Sequence, residues 1–394
     1  MSKKIQLYTK QRSIKHLPFI PIAMPLAIFI GSIVFLYILP FSKVIDSTIV
    51  VLSVLDYLLT MSIVALFFIV NRQKIVQTDL LLKTDYLLFT KKYFYFFIPF
   101  VLYSLYGTYN NLSLVIFSGY NREGLLDTVS AGYLDMLLPN LFSCLFVVSI
   151  IYKYPLRIRL LLFFGVLSAM LFYLSRTNLL FLIYFPIVFL FIFPNQLNYK
   201  KIFKFSVLTL LIVIIASYIT ILQGRGDNIF QVIFKIGETL FRYKSYSFYL
   251  AEYAIQISNG IEKSLFPFLG FLSEQIISFG YVVNNPISTS KSEFVFEFRY
   301  LGNGYRANVL YPWWAWFYGY YGVLGLVLKA VYIYAILNFT LKFKLSLTFM
   351  FLLYNILFVI VVKHPLINAG AFYGFVVLII FDLLIKVKYG KLFK

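Results

Sequence analysis

Apolar stretches long enough to cross a bilayer recur along the chain at 17–39, 49–70, 93–117, 133–152, 160–174, 179–193, 205–222, 313–337, 345–362 and 369–385. A membrane-spanning helix needs about 20 such residues, so the pattern predicts about ten helices. The two short runs at 160–174 and 179–193 are separated by Ser175-Arg176-Thr177-Asn178. A single helix across them would be too long for one span. It would also place an arginine at its middle, where a lipid-exposed charge costs about 2.5–3.5 kcal/mol or more. A turn at Arg176 is therefore expected.

The stretch 223–308 breaks the rhythm. It opens with Gly224-Arg225-Gly226-Asp227, closes with Asn303-Gly304-Tyr305-Arg306-Ala307-Asn308, and is rich in Phe, Tyr, Ile and Leu rather than in Gly, Ser or Pro. It is not a flexible linker. Ile229, Phe230, Ile233, Phe234, Ile236, Leu240 and Phe241 recur at helical spacing between Gln231, Lys235, Glu238 and Arg242. This predicts amphipathic helices over 228–243 and 246–257, lying on the membrane surface or folded into the bundle. Asn284-Asn285-Pro286 and Ser288-Thr289-Ser290 mark a polar turn.

Composition fixes the class. Of 394 residues, 61% are hydrophobic and only 13% charged, against about 25% charged in soluble domains. The net charge of +20 would suggest nucleic acid in a soluble protein. Here the basic residues sit in short segments beside apolar runs, where they set topology and meet anionic headgroups. With the N-terminus inside, the inner segments carry Lys3, Lys4, Lys10, Arg12, Lys15, then Arg72, Lys74, Lys83, Lys91, Lys92, then Lys153, Arg157, Arg159, then Lys200, Lys201, Lys204, then Lys342, Lys344, and finally Lys386, Lys388, Lys391, Lys394. The short outer loops carry Lys43, Arg122, Arg176 and Lys363, one apiece. Both termini are therefore expected in the cytoplasm and 223–308 outside, since long loops translocate regardless of charge. The first apolar run lacks a small-x-small cleavage site and reads as an uncleaved helix. The expected fold is an all-α polytopic bundle in three parts: helices one to seven over 1–222, an extracytoplasmic loop or lid over 223–308, and helices eight to ten with the tail over 309–394.

The chemistry that is missing narrows the function. No Walker sequence, Gly-rich phosphate loop, HExxH or Asp-x-Asp occurs, the two histidines His16 and His364 fall on opposite sides, and Cys144 is the single cysteine. Metal ligation and a resident cofactor are not expected. What the outer side does hold is arginine: Arg176, Arg225, Arg242, Arg299 and Arg306. A guanidinium fork suits phosphate and pyrophosphate. The ordinary alternative is that these arginines snorkel to headgroups or pair with Asp227, Glu238, Glu293 and Glu297. Tyr311, Trp313, Trp314, Trp316 and Tyr318 form either an interfacial aromatic belt or a stacking platform for sugar rings. Asp56, about two turns from the outer end of its helix, reads as a hydrated polar contact or a proton relay, and Lys329 as a cation snorkelling to the inner face. His364 titrates near neutrality and is a candidate general base.

Together the Ser175-Arg176-Thr177 turn, the Gly224-Arg225-Gly226-Asp227 opening, Asn308, Tyr311-Pro312 and Tyr321-Gly322-Val323-Leu324-Gly325 resemble the Wzy-type O-antigen and capsule repeat-unit polymerases over most of the chain. The resemblance implies a glycosyltransferase of the bacterial inner membrane, acting on its outer face without a metal. It would transfer a glycan from undecaprenyl pyrophosphate to an incoming lipid-linked repeat unit, in a pathway shared with a flippase and a chain-length regulator. Arg176 and Arg225 correspond to family arginines by local motif, and Arg242 and Arg306 by position. Tyr305 and Trp313 are further substrate-binding candidates, and the base is open among His364, Glu238 and Glu252. An O-antigen ligase shares these features with a different acceptor. A transporter of lipid-linked sugar would require charged groups along a midplane path.

Overall fold

The structure, a computed structural model, describes residues 19–119, 133–172, 177–193, 228–258, 264–280, 298–308 and 310–389, with parts of 207–221. Its order is α1 Phe19–Ile38, α2 Ser47–Val70, α3 Arg72–Lys92, α4 Phe94–Ser118, α5 Tyr133–Ile151, α6 Leu156–Phe172, α7 Thr177–Ile192, α8 Ile229–Ile257, α9 Phe266–Leu269, α10 Phe271–Gly280, β1 Arg299–Gly302, β2 Tyr305–Ala307, α11 Trp313–Tyr321, α12 Val323–Lys342, α13 Ser346–Tyr354 with a π-turn Asn355–Val359, and α14 Ala369–Tyr389. Among the described residues Ser47–Val70, Leu134–Ile151, Val323–Lys342 and Ala369–Tyr389 are long and apolar enough to cross a membrane. The protein is an all-α membrane protein, with one short hairpin among the described residues.

Interhelical contacts fix relative directions. Lys329 meets Asp56 and Tyr334 meets Phe67, so α2 and α12 run parallel. The Thr108 hydroxyl donates to Ser168 O and the Asn111 amide to Phe172 O, so α4 and α6 do likewise. By contrast, Asp382 meets the start of α13 while Phe375 meets Phe351, which makes α13 and α14 antiparallel.

Two elements differ from the sequence reading. The basic segment between the second and third apolar runs is itself a helix, α3. Ile75, Leu82, Tyr86 and Phe89 fall on one face and are buried, while Lys74, Lys83, Lys91 and Lys92 lie outside. Tyr152 donates to the Asp79 carboxylate, Tyr154 to Leu82 O at 2.9 Å, and Tyr86 to Asp382, so α3 is tied to the α5–α6 connection and to α14. Asp382 in turn accepts from the Leu347 and Thr348 amides at 3.2 and 2.9 Å. Those amides have no partner within α13 at its start, and a carboxylate is the favoured acceptor there. The second difference is the run 313–337, which breaks at Gly322 (φ 60°) into α11 and α12. The two helices fold back closely enough that a Cβ at Gly325 would collide with the Phe317 carbonyl.

Asp56 and Lys329 also depart from expectation. The Lys329 ammonium lies 2.7 and 2.6 Å from the two Asp56 oxygens and 3.2 Å from Thr60 Oγ1, and 5.7 Å from the Trp313 ring. Lys329 is 0% exposed and Asp56 2%. Lys329 therefore does not snorkel, and Asp56 is no hydrated contact; each neutralises the other inside the bundle. Removing one partner strands the other charge at a cost of about 3–5 kcal/mol, whereas replacing both by apolar groups is far milder. Lys329→Ala should lower the thermal unfolding midpoint of detergent-purified protein sharply, and Asp56→Leu/Lys329→Met should recover most of that loss. A single variant that melts with the wild type would show that the pair contributes nothing.

Candidate functional site

The expected amphipathic helices over 228–243 and 246–257 are one continuous helix, α8. Asn228 starts it, its side-chain oxygen accepting from the Phe230 amide at 3.0 Å. The helix is not confined to the membrane surface. Tyr246, Phe248, Tyr249, Leu250, Ala251 and Ala254 are buried, and Phe241 stacks on Phe35 of α1 at 5.3 Å. Lys244 donates to Phe358 O in the π-turn at 3.1 Å.

The other wall of the site is the hairpin β1–β2, in which Arg299 pairs with Ala307 and Tyr300 with Arg306. Its turn is Asn303-Gly304, both at positive φ (48° and 81°), the pairing that tight hairpins favour. The hairpin is sewn to the loop between α1 and α2. The Asn303 amide donates to Pro40 O, the Lys43 amide to Leu301 O at 3.4 Å, and Gly302 sits against Ser42.

Aromatic rings fill the junction. Phe41 meets Tyr249, Tyr305 and Tyr246 at 4.8, 5.0 and 5.8 Å between centroids, and Tyr246 meets Tyr305 at 6.3 Å. Cations border the rings. The Lys43 ammonium is 4.5 Å from the centre of Tyr253 and the Arg299 guanidinium 5.2 Å from it. Arg242 lies 5.9 Å from Tyr243, which touches Tyr246 at 5.6 Å. Arg306 is exposed on β2. Glu252 is held by Lys43 at 2.6 Å. Burial and the Glu252 charge push the Tyr249 hydroxyl up to about 12, so it stays a hydrogen-bond donor at neutral pH. The structure thus brings Arg242 and Tyr305 to one junction, while Arg306, paired with the exposed Tyr300, lies on the opposite face of the hairpin. Sequence reasoning passed over Phe41, Lys43 and Tyr253, which reach it from other elements. The Asn303-Gly304 dipeptide was the available signal for the hairpin.

The remaining candidates fare differently. Arg176 and Arg225 lie outside the described residues, as does the polar turn at 284–290, and so does the side chain of Glu238. Glu252 is ion-paired. Trp313 is 1% exposed, and its indole N–H donates to Pro267 O at 2.7 Å. It is neither part of an interfacial belt nor a sugar platform, because no ring face is open. His364 is fully buried beside it, 5.5 Å between ring centroids. Its Nδ1 accepts from the Leu366 amide at 2.9 Å, so Nε2 carries the proton and faces Phe266 O and Pro267 O, each at 3.1 Å. Both nitrogens are engaged, which leaves no lone pair for an acceptor hydroxyl in this conformation. The imidazole holds α9 against α11 instead.

Comparison with known proteins gives no match to a family model, to a curated sequence or to a solved structure.

Burial lowers the His364 imidazole from its ordinary 6.5 to about 3, outweighing the two carbonyls that favour its charged form. A depressed histidine contributes stability that is complete above the unfolded value and is lost as pH falls from about 6.5 towards 3. In that window the wild type should lose about 1.4 kcal/mol per pH unit from this group, and His364→Gln should lack that part of the slope. Tryptophan-fluorescence melts at stepped pH measure it, and parallel slopes for the two proteins would refute the assignment.

Proposed function

We propose that the chain is a polymerase of undecaprenyl-pyrophosphate-linked oligosaccharide repeat units in the bacterial cytoplasmic membrane. In this reading about ten helices cross the bilayer, both termini are cytoplasmic, and 223–308 faces outward. The parallel pairs α2–α12 and α4–α6 and the antiparallel pair α13–α14 agree with the alternation that the charge bias demands.

The observation that carries the proposal is the junction of α8, the hairpin and the α1–α2 loop. There Lys43, Arg242 and Arg299 border the partly exposed rings of Phe41, Tyr253 and Tyr305, which rest on the buried Tyr246 and Tyr249, and Arg306 projects from the outer face of the hairpin. Cations suit a pyrophosphate and ring faces suit the apolar faces of sugars. The reaction breaks the bond between sugar C1 and the phosphate oxygen while the acceptor hydroxyl attacks C1. Negative charge develops on the leaving pyrophosphate, and preplaced guanidinium groups oppose it without reorganising. Arg176 and Arg225 take that role beside Arg242 and Arg306. The hydroxyl proton passes to a base. Of the three candidates, Glu252 is held by an ion pair and His364 is locked by hydrogen bonds, which leaves Glu238 as the proposed base.

Purified protein given purified lipid-linked repeat should produce a ladder of lengthening glycan. Arg225→Ala should abolish the ladder while the protein still inserts and elutes as the wild type, and long polymer from that variant would sink the assignment. Arg242→Ala should slow elongation by roughly a hundredfold to a thousandfold, the range for removing one charge-stabilising donor.

A further inference from the structure

On the side opposite the aromatic junction, four helix ends converge at Tyr93. This residue alone links α3 to α4. The last turn of α3 brings Lys91 and Lys92. The C-terminal end of α14 brings Lys388, whose ammonium is 4.5 Å from the centre of the Tyr93 ring. The start of α6 brings Arg157, 5.7 Å from the Phe94 ring. Phe89 meets Tyr93 at 4.5 Å and Tyr389 at 6.5 Å, which locks the ends of α3 and α14 together. Lys388 and Lys92 come side by side.

Among the described residues this positive charge has no carboxylate partner: the ion pairs formed between them, Lys43–Glu252 and Asp56–Lys329, include none of Lys91, Lys92, Arg157 or Lys388. The 25-residue helix α4 starts here, with no side-chain cap from Tyr93 and no acid in its first turn; its positive dipole end meets the negative ends of α3 and α14, so the excess positive charge is that of the lysines and Arg157. Bringing like charges together costs free energy unless an anion joins them. Immediately along α4, Tyr95 and Phe96 are 76% and 63% exposed. Outward aromatics of this kind lie at the headgroup level of a bilayer.

We propose that this junction of α3, α4, α6 and α14 binds the phosphate of an anionic phospholipid headgroup. Lys92 and Lys388 hold the phosphate oxygens from two helices, and Arg157 closes the far side. Tyr95 and Phe96 flank the headgroup at the same level. The site does not depend on the glycan chemistry proposed above.

The test is native mass spectrometry of the detergent-purified full chain titrated with phosphatidylglycerol, and with phosphatidylcholine of the same chain length. The wild type should retain the anionic lipid preferentially. Lys92→Gln/Lys388→Gln should weaken that retention by roughly tenfold to thirtyfold, following about 1 kcal/mol per basic residue at a membrane surface. Lys83→Gln/Lys342→Gln removes the same charge from exposed positions outside the junction and should leave retention close to the wild type. Should the first double variant fail to elute as a folded species, Lys388→Gln alone supplies the comparison, with a loss of about fivefold. Equal losses in both double variants, or none in either, would overturn the proposal. So would displacement of the lipid by inorganic phosphate at matched ionic strength, which would make the junction a site for the free anion.

Discussion

A polar group that faces hydrocarbon cannot turn to water, so each one in this protein has to find its partner in the chain. Asp382 shows how far that requirement organises the structure. It lies in α14, yet it accepts from Tyr86 of α3 and from two amides at the start of α13. One carboxylate thereby answers the unpaired end of a neighbouring helix and fixes a third helix across both. The Tyr152–Asp79 contact and the Asn111 and Thr108 bonds to α6 carbonyls repeat the principle elsewhere in the bundle. These bonds give direction to contacts that leucine and phenylalanine alone would leave undirected.

The same requirement explains what could be read from the chain. The helices themselves were legible, because spanning length and hydropathy are local properties; α2, α5 and α14 follow the apolar runs within a few residues. Partners were not legible. Asp56 and Lys329 read separately as a hydrated acid and a snorkelling cation, since nothing nearby in sequence brings them together. The helix α3 was hidden because its buried face mixes Ile75 and Leu82 with Asp79 and Asp85, which lowers the apolar signal below that of a span. The break at Gly322 was hidden for the opposite reason: aromatics on both sides keep the run uniformly apolar.

The candidate site was legible in its charges and illegible in its floor. Arg242, Tyr305 and Arg306 could be singled out within one loop, but Phe41 and Lys43 enter from the eight-residue connection between the first two helices. Their role depends on the hairpin that Asn303 and Gly304 make possible. Trp313 and His364 drew attention as rare residue types, and their rarity reflects packing: an indole and an imidazole bonded to consecutive backbone carbonyls, Pro267 and Phe266, of a short connecting helix.

The ion pair between α2 and α12 bears on how the chain is made as well as on how it rests. Its partners are 273 residues apart, and synthesis at about 5–20 residues per second separates their emergence by roughly 15–55 s. Throughout that interval Asp56 is in an inserted helix without its cation. Assembly must therefore keep α2 near water or near the insertion machinery, or hold its carboxylate protonated, until α12 arrives. Docking of α12 then sets the moment at which the first half of the bundle can seal.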